Sequence, residues 1–109
     1  MNKLILSGEV VKDAEAKEVG EKKTLLLSFP FAFKSGTGEY EKTHRIICKI
    51  WGKRGEYLRD DLSEGDFLVL EGQLQEERWK NKEGEWQSMW VITPEQIQTT
   101  RRRETQATL

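Results

Sequence analysis

Trp79 and Trp86 flank a polar tip, Lys80-Asn81-Lys82-Glu83-Gly84, that carries two ammonium groups. Flat π-faces beside cations suit one chemistry above others. Bases stack on the rings while phosphates meet the charges, which is what a single strand of nucleic acid requires of a surface. The competing reading is cross-strand packing, a common use of tryptophan in hairpins. Trp90 lies further along the same run, and one of Trp86 and Trp90 is expected to pack across the hairpin. A second set falls between Tyr40 and Trp51. There Ile46, Cys48 and Ile50 share the face assigned to the core, and Arg45, Ile47, Lys49 and Trp51 share the other. A face with Arg, Lys and Trp at alternate positions is locally basic with an aromatic interleaved, and Lys53 follows it closely. Its alternative is a solvated face with one partly buried tryptophan.

Catalysis finds little support in the same residues. The chain has one histidine, His44, and one cysteine, Cys48. Cys48 falls on the core face, where a thiol is inert. His44 reads as a strand residue that bonds locally or touches a phosphate. No Cys/His cluster has metal-ligand spacing, no Gly-rich loop opens a helix to cradle a phosphate, and no cofactor is implied. The numerous carboxylates lie on loops and the helix and read as solvated. A lone cysteine precludes an internal disulfide and is compatible with a reducing cytoplasm.

The elements that must hold these groups follow from periodicity. At 109 residues, with 36% apolar and 34% charged residues, the chain is expected to be one domain with one small core. The formal net charge of -1 means that any nucleic-acid site must be a local basic face. No apolar run approaches the roughly 18 residues of a membrane span. Lys3–Asp13 reads as a first strand, with Gly8 marking a bend where another backbone approaches. Ala14–Glu18 is charged and alternating, and residues 19–22 form a turn. Lys23–Lys34 alternates strictly, with Leu25, Leu27, Phe29, Phe31 and Phe33 on one face; Pro30 predicts an edge or bulge there. Tyr40–Trp51 is the third strand. Lys53–Leu62 is the helix candidate, with Leu58 and Leu62 on one stripe beside Tyr57. Two strands then form the hairpin, from Asp66 and from Glu85 to about Ile92, where Pro94 interrupts. Residues 1–98 are the expected domain and 99–109 a flexible polar and basic tail.

The order β–β–β–α–β–β predicts an all-β chain with one helix. Its expected form is a five-stranded OB-fold, a Greek-key barrel with the helix between strands 3 and 4. That fold binds oligonucleotides on its strand 2–3 face and adjacent loops. The basic third-strand face and the Trp79–Trp86 hairpin fall there.

Several segments resemble the bacterial and phage single-stranded DNA-binding proteins. They are Met1-Asn2-Lys3-Leu4-Ile5-Leu6-Ser7-Gly8, Trp51-Gly52-Lys53, Glu56-Tyr57-Leu58-Arg59, and Leu70-Glu71-Gly72-Gln73-Leu74 continuing through Arg78-Trp79 and Gly84-Glu85-Trp86. The likeness spans roughly residues 1 to 98. It implies binding of single-stranded DNA without sequence preference, protecting it in replication, recombination or repair in the cytoplasm, associated with the nucleoid. It implies base stacking on Trp51 and Trp79, with Phe33 near a third stacking position; Trp86 is added from its place on the hairpin. Arg45, Lys49, Lys53, Lys80 and Lys82 are the expected phosphate contacts. The family's tryptophan before a His-Arg pair is Thr43 here, so one platform is absent. Members of the family usually finish with a flexible segment and a short acidic tip that recruits replication and repair proteins; here Arg101, Arg102 and Arg103 stand near the end of the sequence, as expected of either a stand-alone variant or a trimmed domain.

The resemblance also implies a homo-oligomer, a dimer or tetramer formed through the first strand. The apolar run Leu4-Ile5-Leu6 agrees, because an exposed apolar edge recruits a partner strand. Glu9, Lys12 and Asp13 are the residues that could blunt such an edge. Two other functions are compatible with the same fold. One is a primosomal-type replication accessory protein, which also lacks the acidic tip. The other is a protein-interaction module using its aromatics and the acidic segment Glu56–Asp66.

Overall fold

Leu27, Phe29 and Phe31, three consecutive members of the alternating apolar face, are almost wholly removed from solvent at the centre of a barrel. The computed structural model describes residues 1–99. Its strands are β1 (Leu4–Val10), β2 (Glu15–Val19), β3 (Thr24–Ser35), β4 (Lys42–Trp51), β5 (Phe67–Lys80) and β6 (Trp86–Thr99), with helix α1 (Lys53–Leu58) between β4 and β5. The ladder order is β1-β5-β6-β4-β3, and β1 pairs again with β3, so five strands close into a ring. Every pairing is antiparallel except β4 with β6, where Ile47 and Cys48 lie beside Val91 and Ile92. The all-β fold with one helix and a five-strand barrel agrees with expectation.

The first strand is shorter than expected, and the charged segment after it is a sixth strand. β1 stops at Val10, and β2 pairs with the near end of β3 outside the ring. Val10 faces Phe31 and Glu15 faces Ser28, so four residues, 11–14, oppose only Phe29 and Pro30. The break sits where Pro30 cannot donate. Its carbonyl accepts from the Val11 amide at 2.9 Å, and no ladder partner is needed for the missing N–H.

Gly8 marks the close approach that its position in the strand suggested. A Cβ there would stand 1.9 Å from the Ala32 carbonyl oxygen, so only glycine lets β1 bridge β5 and β3. β1 is therefore not a simple edge strand: Leu4–Glu9 pair with β5 and Gly8–Val10 with β3. Asn2 extends the β5 ladder with its side chain, donating to the Leu74 carbonyl at 2.7 Å and accepting from the Leu74 amide at 3.0 Å.

Pro94 does not end β6, which continues to Thr99, the first residue of the expected tail. Gly72 faces Pro94 whereas Glu71 faces Gln96, so Glu95 is bulged out. A Cβ on Gly72 would lie 2.2 Å from the Thr93 carbonyl oxygen, and its absence makes room for the irregularity. Arg54 of α1 fastens the bulge by donating to the Pro94 and Glu95 carbonyls at 2.8 and 2.6 Å. The rest of the expected tail, from residue 100, lies outside the described residues.

The helix is shorter than its apolar stripe. α1 ends at Leu58, which packs partly on the core, whereas Leu62 is buried beyond the helix end. Tyr57 is 80% exposed. Gly55 lets the helix sit close, with its virtual Cβ 3.2 Å from Leu27 Cβ. Val10, Cys48, Ile50, Leu68, Leu70 and Ile92 complete the core. Burying each large apolar side chain stabilises the barrel by roughly 1.5–3 kcal/mol.

Candidate nucleic-acid interface

On β4 the alternation holds: Cys48 and Ile50 are buried, while Arg45, Ile47, Lys49 and Trp51 occupy the outer face. Trp51 is 47% exposed and lies across from Leu26. Arg45 is exposed and lies across from Ala32. Between them, Lys49 Nζ is held 2.6 Å from Glu77 Oε1 of β5. The outer face thus continues from β4 onto the hairpin. Lys49, Glu77, Trp79 and Met89 are among the residues lining one open cavity there.

The hairpin formed by β5 and β6 is built as the spacing predicted, with a tip made by Asn81. The Asn81 amide donates to the Glu85 carbonyl at 2.9 Å. Its side-chain oxygen accepts from the amides of Glu83 and Glu85 at 3.0 and 2.9 Å. Gly84 takes a φ of 81°, which favours glycine.

Register separates the tryptophans that spacing had grouped. Trp79 is paired with Gln87, and Trp86 with Lys80. Side chains on a strand alternate in direction, so Trp79 shares a face with Glu77 and Met89, whereas Trp86 and Trp90 share the reverse face with Arg78 and Lys80. All three indoles are exposed, at 44%, 68% and 55% for Trp79, Trp86 and Trp90. Lys80 Nζ lies 5.1 Å from the Trp86 ring centroid, a cation–π contact.

This outer face is carried by strands of a five-strand ring, the layout of an OB-fold, and extends onto a projecting hairpin. Residues 1–100 match the model of the single-strand binding protein family. The chain belongs to that family. It is similar to the single-stranded DNA-binding protein of Treponema pallidum, with 29% identity over 90% of this chain and 57% of that protein. It resembles single-stranded DNA-binding protein 3 of Clostridium acetobutylicum at 30% identity, over 90% of this chain and 69% of that one. Single-stranded DNA-binding protein 2 of Chlorobaculum tepidum is 23% identical over 95% of this chain and 74% of its own length. The chain thus spans between about half and three quarters of the relatives it matches.

The remaining candidates are dispersed. Phe33 sits on the core side of β3, half-buried, with its ring centroid 5.3 Å from that of His44. His44 is further engaged with Ser35 Oγ at 2.7 Å, the local bonding anticipated for it. Lys53 is exposed at the start of α1, and Lys82 is exposed at the hairpin tip. Glu77 and Met89 belong to the outer face but carried no signal in the sequence, because only the register of β5 brings them beside Lys49. Burial pushes the Cys48 thiol well above its ordinary pKa, which keeps it protonated and unreactive. Among the described residues, no group of His, Cys, Asp or Glu could hold a metal ion. No described helix is long and apolar enough to cross a membrane.

Proposed function

We propose that the outer face of β4 and the Trp79 side of the hairpin bind single-stranded DNA without sequence preference. Its role would be to protect such strands in replication, recombination or repair in the cytoplasm. The observation that carries this reading is the pair of exposed indoles, Trp51 and Trp79, on one outer face joined by the Lys49–Glu77 pair, with Arg45 further along β4 on the same face. Bases stack on indole whatever their identity, since every base has a π-face, and phosphates follow the cations. Lys53 and Lys82 extend the charge at either end. The relatives described above, all single-stranded DNA-binding proteins, support the same ligand.

Titration of tryptophan fluorescence with oligo-dT tests the reading. Quenching that weakens as salt rises supports it. Unchanged emission rejects it in favour of a protein-interaction module.

Self-association through β1 is part of the proposal. Leu4–Ser7 pair with β5 on one edge and, among the described residues, with no strand on the other. Ile5 is 62% exposed within that stretch. Pairing two such edges about a two-fold axis would satisfy the backbone groups and cover Ile5. A mass near that of one 12.7 kDa chain at micromolar concentration would reject it.

A further inference from the structure

The reverse face of the hairpin repeats the chemistry of the outer face. Along β6 it carries Trp86, Ser88 and Trp90; across the ladder stand Lys80, Arg78 and Glu76. The two indoles are four residues apart on one strand, so roughly 13 Å separates their Cα atoms. The only carboxylate in this set, Glu76, is met by Arg78 at 3.3 Å, leaving the face with a net positive balance. Toward the hairpin tip, Ile92 is the last fully buried side chain on this side of β6, and from there the arm projects past the core. Trp86 is the most exposed indole of the chain.

We propose that this reverse face is a second track for the same DNA strand. The inference rests on the reading of the outer face given above. A strand stacked on Trp79 crosses the tip past Lys82 and lays further bases on Trp86 and then Trp90. Lys80 and Arg78 then lie beside its phosphates. The cation–π contact of Lys80 steadies the Trp86 ring and leaves its other face for a base. A protein partner fits less well. Interface centres are apolar and depleted in charge, whereas Ser88 and Arg78 occupy the ground between these two indoles.

The test is titration of the full chain with oligo-dT of about 5 and about 15 nucleotides, spanning the site sizes of one OB fold. The double variant Trp86→Ala/Trp90→Ala is expected to match the parent on the short oligomer and to bind the long one roughly ten-fold or more weakly. Trp79→Ala is expected to weaken both. Trp86→Tyr/Trp90→Tyr, which keeps flat rings, is expected to retain most of the affinity for the long oligomer. The proposal is overturned if the double alanine variant equals the parent on the long oligomer, or weakens both lengths alike. It is also overturned if that variant has a smaller mass by light scattering, since a second copy of the chain would then cover the face. Failure of the parent to bind either length instead rejects the outer-face reading, and this inference with it.

Discussion

Lys49 Nζ lies 2.6 Å from Glu77 Oε1, and each residue stands two positions before an exposed indole on its own strand, Trp51 on β4 and Trp79 on β5. The pair ties the barrel wall to the root of the hairpin, in the middle of the face proposed to bind DNA. It also means that an expected phosphate contact, Lys49, is already engaged by a carboxylate.

Replacing Glu77 with Gln therefore releases an ammonium group and removes a charge that repels phosphate. Affinity for oligo-dT is expected to rise, and the log–log salt slope to steepen by about 0.7, the value for one more phosphate neutralised on a single strand. Lys49→Ala in the parent background should change the slope little. A slope unaltered by Glu77→Gln would mean that phosphates do not approach this position.

Trp51→Ala and Trp79→Ala are each expected to cost about 1–3 kcal/mol of single-strand affinity, read by competition or by residual quenching. Both indoles are nearly half exposed, so the fold should survive the truncation. Unchanged binding in both variants would remove stacking from the mechanism.

Among the described residues, Arg45 and Lys53 form no ion pair with an acidic neighbour and serve as the simpler electrostatic probes. Arg45→Ala and Lys53→Ala should each make the salt slope shallower by roughly 0.7 and weaken binding to all sequences alike. Titrations from low to moderate salt decide this.

Gly8→Ala is expected to destabilise the barrel by about 3 kcal/mol, because the methyl group would stand 1.9 Å from the Ala32 carbonyl oxygen, and backbone must move to admit it. Urea unfolding measures the loss. An alanine variant as stable as the parent would show that β1 and β3 can separate without cost.

Cys48 gives a pH dependence whose sign follows from burial. Its thiol stays protonated in the barrel, while in the unfolded chain it ionises near its ordinary value of 9.0. Above that pH the unfolded state binds fewer protons than the folded state, so stability falls as pH rises, by up to about 1.4 kcal/mol per unit. Comparing the parent with Cys48→Ala by urea unfolding between neutral and alkaline pH isolates this contribution. The same thiol should resist modification by a thiol reagent until the protein unfolds.

Local alternation was enough to read much of this protein from its sequence. The period of two in Leu25–Phe33 and in Arg45–Trp51 assigns inner and outer faces, because strand geometry turns each neighbour to the opposite side. Two aromatic runs around Lys80–Gly84 make a hairpin for similarly local reasons, as Asn81 and Gly84 satisfy the turn within five residues. What local pattern could not determine was register across strands. The pairing of Trp79 with Gln87 and of Trp86 with Lys80 puts two apparently equivalent tryptophans on opposite faces. The approach of β5 to β4 engages Lys49 with Glu77, distant in sequence. Pro94 signals a strand end until Gly72 and Arg54, from two other elements, accommodate the bulge and let β6 run on. In each case the deciding partner belongs to another segment of the chain, so only closure of the barrel brings it into contact.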